Sequence, residues 1–498
     1  MQKEYIPVNG LSEVFGETRE QLIESELTLP EYYPEISKVL KCCVTAGVED
    51  VAQAGDKVSV AGKADIKLIY LDPDKKINVF TSLVKYTRVF SVPEIKSEDA
   101  FFVRQTLNGT EHRVTAPRRC EIRAAAAVKL TCLRKTEINV LSLPECTDAE
   151  VLYGELNTVR ISTVKRFELA FSENTELPDT GSKICGVLYS SARLNLSETR
   201  VIKNKVMLKG SCTVEARFIT QQGSITPEAE FNIPFTEIAG LPGAEENDEA
   251  AICAENVNAR LAVSEDGRTA QVFVTAQIKA VCSTADTVSL PEDIYSVKRE
   301  VKLERAVFGA VTELVPAEHT FSVSADAECY DDSASGVTAY FTDSPECSLV
   351  SYDGRLNAVG SVCVNFLISG ADGISLISRS CSFEENTGIT GCVRGEVGCS
   401  ARIVSAELKN GRIRYTLNIS MSGWCVKNHE RGFITDAELE NGVQTNGNSE
   451  KIVLYYAHPG EKIWDIAKEN GCSAAKIKNL NDLTGESVEE SRMLVLVR

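Results

Sequence analysis

Few residues in this chain are placed to do catalytic or metal chemistry. The 4 histidines are His112, His319, His429 and His458. None belongs to an H-E-x-x-H helix pattern or to a Cys/His spacing that would bring four ligands around zinc. Cys425 and His429 lie close together, but with no further ligand in reach they read as an incidental pair. No glycine-rich phosphate loop ending in Lys-Ser/Thr and no G-x-S-x-G turn occurs. These patterns predict no enzyme, no cofactor and no metal. Cysteine is the exception in abundance, with 17 residues. Their number is odd, their spacing irregular, and Cys42-Cys43 are adjacent. They read as small buried hydrophobes kept reduced. The alternative is a cross-linking role in an oxidised layer.

The elements that would position such residues come next. At 498 residues the chain exceeds one domain, and length alone suggests about three or four. The net charge of −18, with no basic tract, argues against a nucleic-acid partner. No stretch is long and apolar enough to span a membrane. The opening Met1-Gln2-Lys3-Glu4-Tyr5-Ile6-Pro7 lacks the apolar core of a secretory signal, so export by signal peptide is not expected. The acidic run Glu245-Glu246-Asn247-Asp248-Glu249 reads as a solvated loop.

Most of the chain repeats. Lys57-Val58-Ser59-Val60-Ala61-Gly62 returns as Lys205-Val206-Met207-Leu208-Lys209-Gly210 and as Arg355-Leu356-Asn357-Ala358-Val359-Gly360. The interval is about 150 residues, long enough for each copy to be a domain rather than a solenoid turn. Each block runs into period-two alternation and then a turn, the mark of a hairpin. Asp266-Gly267-Arg268 and Asn410-Gly411-Arg412 read as further hairpin turns. Leu29-Pro30 returns as Leu177-Pro178 and loosely as Leu314-Val315-Pro316. Thr147-Asp148-Ala149-Glu150 and Thr435-Asp436-Ala437-Glu438 read as N-caps of short helices. The expected fold is mainly β: a polar lead over 1–19, β-sandwich-like units over 20–155, 156–303 and 304–440, and a flexible linker over 441–450.

The last segment, 451–498, has a different period. Apolar runs at Ile452 to Tyr456 and Met493 to Val497 bracket two helical patterns. Ile463, Ile466 and Ala467 share one face, and Ala474, Ile477 and Leu480 another. Pro459-Gly460 turns into the first helix, and Asn470-Gly471 stops it. The unit is β-α-α-β. Trp464 beside Ile463 reads as core rather than as a groove residue.

Through Pro459-Gly460, Ile463-Trp464-Asp465-Ile466-Ala467, Gly471-Cys472-Ser473 and Leu480-Asn481, this segment resembles a LysM module. An acidic pair, Glu489-Glu490, stands where such modules usually carry Pro-Gly. The resemblance implies a groove between two loops, with Pro459, Gly460, Glu461, Lys462 and Ile463 on one side. Asn481, Asp482, Leu483, Thr484, Gly485 and Glu486 lie on the other. Turn-rich loops expose backbone amides and carbonyls that suit an N-acetyl sugar or a peptide.

The repeats carry a second resemblance, to the DUF3794 family or SPOCS domain. It rests on the stretch Glu26-Leu27-Thr28-Leu29-Pro30-Glu31-Tyr32-Tyr33-Pro34-Glu35-Ile36-Ser37-Lys38-Val39-Leu40, on the Lys-Val-x-x-x-Gly block followed by an aromatic-rich strand, and on Phe231-Asn232-Ile233-Pro234-Phe235. SPOCS repeats followed by one LysM module is the arrangement of SipL-like spore coat morphogenetic proteins. The resemblance implies a non-catalytic assembly role in the mother-cell cytoplasm, at the forespore surface. The implied partners are a SpoIVA-like coat morphogenetic ATPase and other coat proteins. The alternative is a cell-wall protein that binds peptidoglycan glycan chains.

Overall fold

The computed structural model describes residues 3–143, 149–352, 354–371, 373–440 and 452–497. Its elements are mainly strands in small antiparallel sheets, with two short helices near the C-terminus. The first unit holds β1 (Glu4–Thr28), β2 (Lys38–Ala54), β3 (Lys57–Leu71), β4 (Ile77–Ser91), β5 (Ala100–Ala116) and β6 (Arg119–Ser142). They form the sheets β1-β6-β5 and β2-β3-β4. The second unit repeats this with β7 (Glu150–Glu176), β8 (Ile184–Ile202), β9 (Lys205–Thr220), β10 (Ala229–Gly240), β11 (Glu249–Val263) and β12 (Thr269–Tyr295).

In the third unit the long first strand is broken in two, β13 (Val301–Pro316) and β14 (His319–Glu328). Proline at the break has no amide hydrogen to give to a ladder. β15 (Gly336–Tyr352), β16 (Arg355–Gly370), β17 (Gly373–Thr390), β18 (Cys392–Lys409) and β19 (Arg412–Leu439) complete it. The chain ends with β20 (Ile452–Ala457), α1 (Ile463–Asn470), α2 (Ala474–Leu480) and β21 (Arg492–Val497).

Strand pairing moves the expected boundaries. Residues 4–19 are not a polar lead, because β1 pairs with β6 from Glu4↔Ser142 to Thr28↔Arg119. Likewise β7 begins at Glu150 and pairs with β12, and β13 begins at Val301. Thr435-Asp436-Ala437-Glu438 caps no helix and lies within β19. Thr147-Asp148 and the linker 441–450 lie outside the described residues. Pro316 is not the counterpart of Pro30 and Pro178. Leu29 and Leu177 each donate a backbone bond, to the Arg118 and Arg268 carbonyls, and the equivalent donor in the third unit is Cys329, to Gly411.

The repeated glycines sit mid-strand in β3, β9 and β16, opposite an aromatic residue on the neighbouring strand: Gly62↔Tyr86, Gly210↔Phe235 and Gly360↔Phe383. A Cβ would overlap the Tyr86 ring at Gly62, the Asn195 carbonyl at Gly210 and the Glu346 carbonyl at Gly360. Close approach, not backbone sign, demands glycine here.

The two sheets of a unit share a core. In the first unit Ile23, Val44, Ile66, Leu68 and Ile122 come from four strands of both sheets. Other clusters cross the units. Val8 and Val140, Leu156 and Leu290, and Ala310 and Phe433 form one buried layer. They come in pairs from the equivalent strands β1/β6, β7/β12 and β13/β19. Ile69, Leu188, Tyr189, Phe341 and Leu367 form another such layer. Each fully buried aliphatic side chain contributes about 1.5–3 kcal/mol, so these shared layers bind the three units to one another.

An ionic cluster also joins them. Lys279, 2% exposed, lies 2.9 Å from Glu255 and 2.7 Å from Glu396. Arg104 lies 3.3 Å from Glu255. Burial works against the Lys279 charge, but the two carboxylates outweigh it and hold its pKa above the usual lysine value.

Candidate functional site

The C-terminal segment follows its sequence pattern closely. Ile463, Ile466 and Ala467 are buried on α1, and Gly471, in the left-handed region at φ 60°, ends the helix. Its amide bonds to Lys468 O, and that of Cys472 to Ala467 O. Ile477 is buried on α2, whereas Leu480 is exposed. A period of three drifts around a helix, so the third residue leaves the core face.

Backbone hydrogen bonds link the two loops of the predicted groove. The Gly460 amide donates to Val488 O at 2.8 Å, Val488 to Glu461 O at 2.9 Å, and Ile463 to Glu486 O at 3.0 Å. Those backbone groups are therefore already used. Ile463 is fully buried, and Leu483 packs against the same cluster. Asn481 is buried too. Its side chain donates to Ile477 O and Val495 O and accepts from the Val495 amide, pinning the loop to β21. Of the predicted residues, Pro459, Gly460, Lys462, Asp482, Thr484 and Glu486 stay exposed, with Glu461 and Gly485 half-buried. Lys478 pairs with Glu486 at 2.6 Å.

Two other features were not expected. Alternate residues of the β20–β21 sheet point outward, and they are apolar. Ile452, Leu454, Tyr456 and Met493 are 71%, 65%, 54% and 53% exposed. The register places Leu454 opposite Val495 and Tyr456 opposite Met493. Ile452 to Tyr456 is apolar at every position, so a strand there must present apolar side chains on both faces.

The segment is also docked on the second unit. Trp464 Nε1 donates to Asp293 Oδ2 at 3.0 Å, and Lys468 Nζ lies 2.6 Å from the same oxygen. Tyr295 O–H donates to Cys472 O at 2.9 Å, and its ring meets Trp464 edge-on at 4.8 Å. Trp464 is thus core, buried against a neighbouring unit. Burial works against the Asp293 charge, but hydrogen bonds from Lys468 and Trp464 outweigh it and hold its pKa below the usual carboxylate range.

Among the described residues, no cluster of three or more His, Cys, Asp or Glu is arranged to hold a metal ion. Of the 17 cysteines, Cys146 lies outside the described residues and the others are free thiols, most of them buried. Burial pushes the thiols of Cys42, Cys212 and Cys282 up to about 12, so they are poor nucleophiles. Among the described residues no helix is long and apolar enough to cross a membrane.

The β2–β5 hairpins of the first unit decide what the chain is similar to. Residues 35–114 match the family described as SipL, SPOCS domain. The match begins in the loop before β2 and ends near the close of β5. No curated protein and no solved structure matches the chain.

Proposed function

We propose that this chain is a non-catalytic assembly protein of the spore envelope. The three β units, read as sandwich-like SPOCS repeats, form a structural array. The C-terminal segment, read as a LysM module, docks a coat morphogenetic partner, a SpoIVA-like ATPase, in the mother-cell cytoplasm at the forespore surface. The SPOCS match over 35–114 supports the sporulation setting.

One observation carries the choice of partner class. The outward face of β20–β21 presents Ile452, Leu454, Tyr456 and Met493 to solvent, the composition of a protein-docking surface. The loops on which a glycan would lie have spent several backbone groups on each other and carry Glu461, Asp482 and Glu486.

A pull-down of purified SpoIVA-like ATPase by the full chain, beside a chain lacking 451–498, tests the reading. Recruitment should vanish with the deletion, and unchanged recruitment overturns it. Co-sedimentation of the full chain with insoluble peptidoglycan would instead favour the wall-binding alternative.

A further inference from the structure

Lys67, Glu215 and Asn365 occupy one position of the repeat, the fifth residue after Gly62, Gly210 and Gly360. Each lies on the middle strand of its unit's second sheet, on the face away from that unit's core. In two units the neighbours satisfy it. Glu215 pairs with Arg402 at 2.9 Å, and Arg402 also reaches Glu228 at 2.9 Å. Asn365 donates to Asp343 at 3.0 Å and accepts from Ser378 at 2.7 Å, while Lys41 reaches Asp343 at 3.5 Å. Lys67 has no hydrogen bond and no salt bridge among the described residues. Burial lowers its pKa, and Asp65 and the Cys43 thiol counter this only in part.

Lys67 lines a cavity of about 1060 Å³ where the three units meet. Several lining carboxylates are engaged by the protein itself, Glu215 by Arg402, Asp343 by Lys41 and Glu346 by the Leu107 amide. The lining charges without an ion pair or side-chain hydrogen bond among the described residues are Lys63, Lys67, Arg193 and Arg260 against Asp65 and Glu318. Among these unpaired charges cations outnumber carboxylates; the whole lining sets five Lys and Arg beside six Asp and Glu, of which the protein engages Glu168, Glu215, Asp343 and Glu346. Gln105 Nε2, Gln277 Oε1 and His319 Nε2, on three further lining residues, are buried and lack a hydrogen-bond partner. Such orphaned polar atoms call for a polar occupant.

An extended peptide is disfavoured. Six of the edge strands that line it, β2, β5, β8, β11, β15 and β18, carry a register shift; only β4 and β14 among the lining edges do not. Bulged edges resist strand addition.

We propose that the cavity binds a small multivalent anion, bearing carboxylate or phosphate groups, with Lys67 as its counter-charge. The ligand supplies in the first unit the partner that Arg402 and Asp343 supply in the other two. The site is separate from the C-terminal docking face.

Thermal unfolding of the full chain in citrate or pyrophosphate, against chloride at equal ionic strength, tests this. Either probe should raise Tm saturably, by about 2 °C or more. Lys67→Met should abolish that rise and, without the probe, leave Tm unchanged or higher, because it removes a half-buried ammonium that has no ion pair. Lys67→Gln serves as the second variant should Lys67→Met fail to fold. A wild-type Tm that neither probe moves beyond the chloride control, or an equal rise in the variant that folds, overturns the proposal. So does an instability of both variants that neither probe accounts for.

Discussion

The ring of three β units and the C-terminal segment are held by different means. The units share several apolar layers, and Lys279, Glu255, Glu396 and Arg104 tie all three together in a place nearly closed to water. The C-terminal segment rests on the second unit through Trp464, Lys468 and Cys472 against Asp293 and Tyr295. The first attachment involves many side chains from every unit, the second a few from one. The units should therefore unfold together, while the segment can separate from them. The proposed assembly role would use this division: a rigid body and a detachable contact.

The largest effect should come from the ionic cluster. Lys279→Ala leaves two buried carboxylates short of a cation, a loss of roughly 3–5 kcal/mol. Urea unfolding followed by proteolysis should show all three units becoming sensitive at once. Sensitivity confined to the second unit would break the comparison, since the units would then be independent domains.

Next is the docking of the C-terminal segment. Asp293→Ala removes hydrogen bonds from Trp464 and the Lys468 ammonium, about 1.5–3 kcal/mol in all for bonds to a charged group. Hydrogen exchange should speed up across α1 while the β units keep their protection. Loss of protection in β7 and β12 would show that the segment is part of the body.

Gly210→Val sharpens the first half of the comparison. Its side chain meets the Asn195 carbonyl, and overpacking of this kind costs roughly 1–3 kcal/mol. Because the layers are shared, the unfolding midpoint of the whole ring should fall. A wild-type midpoint would mean that the bulged edge of β8 moves aside freely.

The smallest effect is that of acid. The Asp293 pKa is lower folded than unfolded, so its contribution is fully present above the unfolded value of about 3.9. That contribution is lost as pH falls through the folded value. With Trp424→Phe leaving Trp464 as the reporter, fluorescence should change as pH drops below about 4. Asp293→Asn should remove that transition. A change at the same pH in both proteins would place the titrating group elsewhere.

Much of this was legible because it is local. Strand starts at Lys57, Lys205 and Arg355 follow from the repeated block, and the αL stop at Gly471 from Asn-Gly. The turn at Asn410-Gly411 is read from its residue types, and both residues do adopt positive φ. Residues 4–19 misled because only Val8 to Leu11 are buried there, and the many polar, solvent-reaching residues around them dominate the composition. The bonds between the two groove loops were hidden for a different reason. Turn residues announce exposed backbone, but they do not say that two loops will bond to each other, and Asn481 looks like a surface residue until Val495 is placed beside it. Lys67 was hidden because its surroundings come from three units. Its only trace is a polar residue at one position of every repeat.

The central claim is that the outward face of β20–β21 docks a protein. Binding of purified SpoIVA-like ATPase to the full chain, measured beside Leu454→Asp and Tyr456→Asp, tests it most directly. Both side chains are exposed, so the variants should fold as the wild type does. The account predicts at least about a tenfold loss of affinity in each, as for central apolar contacts of an interface. Wild-type affinity in both variants would contradict it.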